Sequence, residues 1–227
     1  MIPSLQKTYD VSATRATRHR VLRNTYWLLA LSMIPTVLGA FVGLTTALPI
    51  FSGGLGFLLF FAIAFGFIFA IERTKNSAAG VPVLLGFTFF MGLMLTPLLR
   101  HTLGFSNGGL LIMSAFATTA VVFGSMATIA TVTKRDFSGM GSWLFAAVIV
   151  LIVASIANIF LQIPALFLAV SAVAAAVFSA FILYDVQRIV NGGETNYISA
   201  TLSIYLDVYN VFTALLQLLG VGFGRRD

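Results

Sequence analysis

The chain has 227 residues, of which 59% are hydrophobic and only 9% charged, against roughly a quarter charged in soluble domains. So little polar surface cannot cover a globule in water, and lipid must be the solvent for most of this chain. The absence of cysteine excludes disulfides, thiolate metal sites and cysteine nucleophiles. The net charge of +6 invites a nucleic-acid reading, which fails because the basic residues cluster at the ends of apolar runs, where they orient a membrane protein.

Residues 1–24 read as a polar, basic, cytoplasmic N-terminal tail. The apolar run after it lacks a small-residue cleavage site, so it is a first transmembrane helix rather than a removable signal. Residues 24–71 and 137–184 each carry no charge over 48 residues. Either stretch is about twice the ~20 residues that cross the hydrocarbon once, so each is a hairpin of two spans. Span one covers about Thr25 to Leu48, with Tyr26 and Trp27 at the interfacial belt, and the turn 49–54 (PIFSGG) leads to span two, ending at Ile71. Span three runs from Val81 to Leu99, with Arg100 and His101 opening a loop; span four is Gly109 to Val132 and span five Trp143 to Phe160. A turn at Gln162 to Pro164 opens span six, which ends at Tyr184-Asp185. The loop 190–197 (VNGGETNY) precedes span seven, Ile198 to Gly220. The expected architecture is an all-α integral membrane protein, a seven-transmembrane-helix bundle over residues 25–222, with a short C-terminal tail at 223–227.

Seven spans divide the loops between two sides. Ten of the 13 Lys and Arg fall on the side of the N-terminus, leaving Arg100, Arg225 and Arg226 on the other. This bias predicts a cytoplasmic N-terminus and an external C-terminus.

Spans one to five hold no charge, so the two intramembrane carboxyls stand out: Asp207 within span seven and Asp185 at the end of span six. At ~1.5 Å per residue, Asp207 lies roughly 14 Å into its helix. An ionised carboxylate there costs at least ~2.5–3.5 kcal/mol, so it should face a partner or water. Ser199, Ser203, Asp207, Asn210 and Gln217 fall within about 80° of one another on a helical wheel, a polar stripe suited to a central helix. The loop between spans six and seven returns on one side, so Asp185 and Asp207 can approach each other. Two carboxyls in one low-dielectric site cannot both ionise cheaply and would share a proton, the makings of a pH-sensitive switch. The plainer alternative is that each Asp only braces the bundle, with Arg188 at i+3 from Asp185 as its partner. Asn158, Gln162 and Gln217 read as interhelical bridges, and Gly39 with Gly43 as a small-xxx-small packing pair.

The segments 157–172 (ANIFLQIPALFLAVSA), 182–185 (ILYD), 192–210 (GGETNYISATLSIYLDVYN) and 21–26 (VLRNTY) resemble the Bax inhibitor-1 family, also called TMBIM, most closely its bacterial YccA-like branch. The resemblance spans the chain beyond the tail. It implies a bundle with the last helix central and surrounded by the other six. It further implies a pH-sensitive calcium-leak channel of the bacterial inner membrane, gated by two aspartates that match Asp185 and Asp207, with Ca²⁺ as permeant or bound ion. Arg73 is the nearest match to the family's latch arginine. In the YccA-like branch the implied partner is the membrane-anchored AAA protease FtsH, with modulation of that protease as the alternative function. An enzyme is not expected. An intramembrane aspartyl protease would pair Tyr184-Asp185 with a Gly-x-Gly-Asp, but Asp207 follows Ile204-Tyr205-Leu206, and neither a zinc-protease HExxH nor a nucleotide-binding glycine loop occurs.

Overall fold

The computed structural model describes residues 3–46 and 53–225, with side chains at 17–46, 56 and 58–225. It is helical throughout: α1 (Pro3–Thr46), α2 (Gly53–Thr74), α3 (Gly80–Met94), α4 (Thr96–Leu103), α5 (Gly108–Val132), α6 (Met140–Leu161), α7 (Pro164–Asn191) and α8 (Tyr197–Phe223). Backbone groups have no water to bond in lipid, and a helix satisfies them internally. Among the described residues, six stretches are long and apolar enough to cross a membrane, with α3 and α4 counted as one crossing, Gly80–Leu103. The 22-residue α2, uncharged until Glu72, is the seventh transmembrane helix. Of the turn expected at 49–54, residues 49–52 lie outside the described residues, and Gly53 and Gly54 already belong to α2.

Two boundaries differ from the expected ones. α1 starts at Pro3, so residues 3–24, read as a tail, continue the first helix. Polar residues do not break a helix; they only keep its outer turns out of the hydrocarbon. The third span does not stop at Leu99. It breaks between Met94 and Thr96, where Pro97 supplies no N–H to continue the ladder, and resumes as α4, which carries Arg100 and His101 within a helix rather than a loop.

α8 is the axis of the bundle. Every residue from Ile198 to Gly220 is buried or half-buried, and α8 touches α1, α2, α3, α4, α5 and α7. Among the described residues only α6 stays out of its reach, packing on α7 alone and turning Phe145, Val150, Val153 and Ile159 outward. Two tyrosines, Tyr205 buried and Tyr209 half-buried, fasten the axis to its neighbours. The Tyr205 hydroxyl lies 2.9 Å from Thr36 Oγ1 on α1, and that of Tyr209 donates to the Met91 carbonyl on α3 at 3.2 Å. α1 meets α3 and the start of α4 through glycines. A Cβ at Gly39 would run into the Phe89 carbonyl, one at Gly43 into the Thr96 hydroxyl, and one at Gly92 into the Thr36 carbonyl.

Contacts between chain ends sort the loops into two groups. At one end, Arg18 reaches the Val190 carbonyl, Asn196 reaches Lys75 and Asn76, and Gln187 reaches Arg135. At the other, Arg100 donates to the Gly43 and Leu44 carbonyls, and the loop Ser106–Asn107 holds Phe223 and Arg225. The two termini therefore lie at opposite ends of the bundle.

Candidate functional site

The site forms at the end of the bundle that carries Arg18, where α7 finishes and α8 begins. Gly192 terminates α7 at φ 80°, the left-handed conformation that glycine adopts without strain. The amides of Gly193 and Glu194 fold back onto the Arg188 carbonyl at 2.8 and 3.2 Å. Glu194 Oε1 accepts from the Thr195 and Asn196 amides. Asn196 then caps α8, its Oδ1 accepting from Ile198 N and Ser199 N at 2.9 and 3.2 Å. Its amide donates to the Lys75 carbonyl and Asn76 Oδ1 at 3.0 and 2.8 Å, tying in the α2–α3 turn. Gln187, buried on α7, bridges to the α5–α6 loop, donating to the Arg135 carbonyl and accepting from Phe137 N. In that loop the Ser138 amide holds the exposed Asp136 carboxyl below the ordinary aspartate range.

Beneath this clamp lie the two aspartates. Asp185 is 9% exposed and Asp207 only 5%. The two carboxyls are close enough to act on each other directly. Asp207 Oδ2 is buried and receives no N–H or O–H from the described residues. Ionised carboxylates only accept, so this contact is a hydrogen bond when one of the two keeps a proton. Asp185 has a second partner: Arg188 Nη1 lies 3.3 Å from its Oδ1, while Nη2 lies 3.9 Å from Glu194 Oε2. The same guanidinium sits over the Tyr184 ring, 5.8 Å from its centre.

The sequence candidates scatter around this centre. Of the polar stripe, Ser199 presents a buried hydroxyl without a partner. Asn210 donates to the Leu206 carbonyl of its own helix, and Gln217 accepts from Ser171 on α7 at 2.8 Å. Ser203 is half-buried. Arg73 does not reach the pair. Its guanidinium lies over the Phe69 ring, 5.4 Å from the centre, because the end of α2 turns it along its own helix. The cation beside the aspartates is Arg188, read in the sequence only as a brace for Asp185. Among the described residues no cluster of three or more His, Cys, Asp or Glu occurs, so any further oxygens for a Ca²⁺ at the pair would have to be carbonyls, side-chain amides or water. Glu194, Asn196 and Gln187 went unread as site residues, although the first two belong to the GGETNY motif.

The family model described as "Inhibitor of apoptosis-promoting Bax1" matches residues 18–224. A protein named modulator of FtsH protease YccA, from Escherichia coli (strain K12), is 39% identical over 223 residues, 98% of each chain. An inner membrane protein YccA of Escherichia coli O6:H1 matches to the same extent. A membrane protein of Vibrio cholerae is 38% identical over 221 residues, 96% of each chain.

Proposed function

This chain belongs to the family described as inhibitors of apoptosis-promoting Bax1, and from that membership we propose that it modulates a membrane-anchored AAA protease of the FtsH type in the bacterial inner membrane. The observation that carries this reading is the end-to-end likeness to the Escherichia coli protein named for that role. The basic first turns of the chain support it, since residues 1–24 hold Lys7, Arg15, Arg18, Arg20 and Arg23 on the side expected to be cytoplasmic. A truncation at residue 16 tests the reading and spares Arg18, which is docked on α7. Full-length tagged chain isolated from inner membranes is expected to bring down the protease, and the truncated chain less of it. Recovery from neither overturns the proposal.

A second reading is favoured by the buried Asp185–Asp207 pair: a proton-gated calcium leak, with Ca²⁺ as cargo. With a proton shared, the pair is neutralised in part and holds α7 against α8. Loss of that proton at higher pH sets like charges face to face and offers carboxylate oxygens to a hard cation. Calcium flux into proteoliposomes should then rise with pH, collapse for Asp207→Asn and lose its pH dependence for Asp185→Asn. Flux unchanged in both variants removes this reading and leaves the first intact.

A further inference from the structure

Arg23, Asn24, Trp27, Leu28 and Leu31 follow one stripe of α1. With Tyr197 at the start of α8 they line a groove of about 610 Å³. Its chemistry is graded. Arg23, Asn24 and Tyr197 supply a cation and hydrogen-bond donors at the loop end; Leu28 and Leu31 supply an apolar floor toward the middle of the span. The groove opens outward, with Trp27 73% and Leu31 44% exposed. Its polar end lies level with Asn196, the residue that holds the α2–α3 turn, hence at the edge of the hydrocarbon. Arg23 is exposed, and no carboxylate among the described residues pairs with it.

We propose that this groove is a binding site for one anionic phospholipid. The phosphodiester sits on Arg23, with the Asn24 amide and the Tyr197 hydroxyl as donors. The first acyl carbons lie on Leu28 and Leu31, and the Trp27 ring flanks them at headgroup depth. The charge is complementary, and the volume suits a headgroup with the start of its chains. The sideways opening presents the site to lipid rather than to a soluble ligand. The site is separate from the aspartate pair and does not depend on either functional reading.

The chain carries two tryptophans, Trp27 in the groove and Trp143 on α6, the latter 80% exposed. A Trp143→Phe protein therefore reports on the groove alone. Reconstituted in phosphatidylcholine vesicles, its fluorescence should be quenched about fivefold more effectively by a minor fraction of brominated phosphatidylglycerol than by the same fraction of brominated phosphatidylcholine, the preference of one interfacial cation. Adding Arg23→Gln should abolish the difference, whereas adding Arg20→Gln, whose residue does not line the groove, should keep it. Circular dichroism confirms that each variant is folded. Equal quenching by the two lipids in the Trp143→Phe protein, or a preference that survives Arg23→Gln, overturns the proposal.

Discussion

Asn196 shows how one short side chain can set the geometry of a site it does not touch. Its oxygen closes the first turn of α8 and its nitrogen closes the α2–α3 turn. Both bonds fix where α8 begins, and so the height at which Asp207, ten residues on, meets Asp185. Asn196→Ala leaves the Ile198 and Ser199 amides without a cap and should cost about 1–2 kcal/mol. Asn196→Asp keeps the acceptor and loses the donors, so it should fall between alanine and the native residue. Thermal unfolding in detergent gives that order, and equal midpoints for all three would refute the capping role. The two aspartates were legible in the sequence because a carboxyl inside an otherwise uncharged run is costly and therefore informative. Arg188 was legible as a brace for Asp185 through its i+3 spacing, but Glu194, which shares that guanidinium, was not. Charged residues at a helix end are ordinary, and only the fold of the Gly193 and Glu194 amides onto the Arg188 carbonyl brings that guanidinium between Asp185 and Glu194. Arg73 misled for the opposite reason: its position along the chain suited a latch, but its direction on α2 did not.

At the scale of helices, charge-free stretches of fixed length announced the hairpins, since the hydrocarbon thickness allows few other solutions. What they could not announce was where a helix continues outside lipid, as α1 does, or where a proline divides a span, as between α3 and α4. Nor could spacing alone tell which small residues matter. Gly39 and Gly43 read only as a common pattern, yet Gly39 and Gly92 let the backbones of α1 and α3 come into contact and Gly43 makes room for Thr96 of α4, while Gly66 on α2 has nothing within 4 Å of a would-be Cβ. These two environments predict opposite outcomes for the same change. Gly92→Ala forces the Thr36 carbonyl away and should destabilise by about 1–3 kcal/mol. Gly66→Ala meets no atom and gains helix propensity, so its effect should be neutral or stabilising by up to about 1 kcal/mol. Unfolding of the pair in one detergent decides the matter; if both lose the same stability, the crossing is not glycine-limited.

For the whole molecule, the odd number of crossings and the two groups of end contacts agree that the chain starts and finishes on opposite faces. Arg18, the α2–α3 turn, the α5–α6 loop and the α7–α8 turn are joined at one end. Arg100, the α4–α5 loop and the last turn of α8 are joined at the other. The charges follow the same division, ten of 13 Lys and Arg at the first end, and basic loops are retained in the cytoplasm. The proposed orientation puts the aspartate pair and its clamp on the cytoplasmic side, within reach of a protease domain, a proton or the anionic leaflet. A periplasm-dependent alkaline phosphatase fused after Asp227 should be active, and a fluorescent protein that matures only in the cytoplasm should be dark at the same position. Fusions in the 134–139 loop should behave the other way round. The reverse result at both places would put the clamp outside the cell. It would end the protease reading, because no cytoplasmic partner could reach the basic residues 1–24, and it would leave the helix packing unaltered.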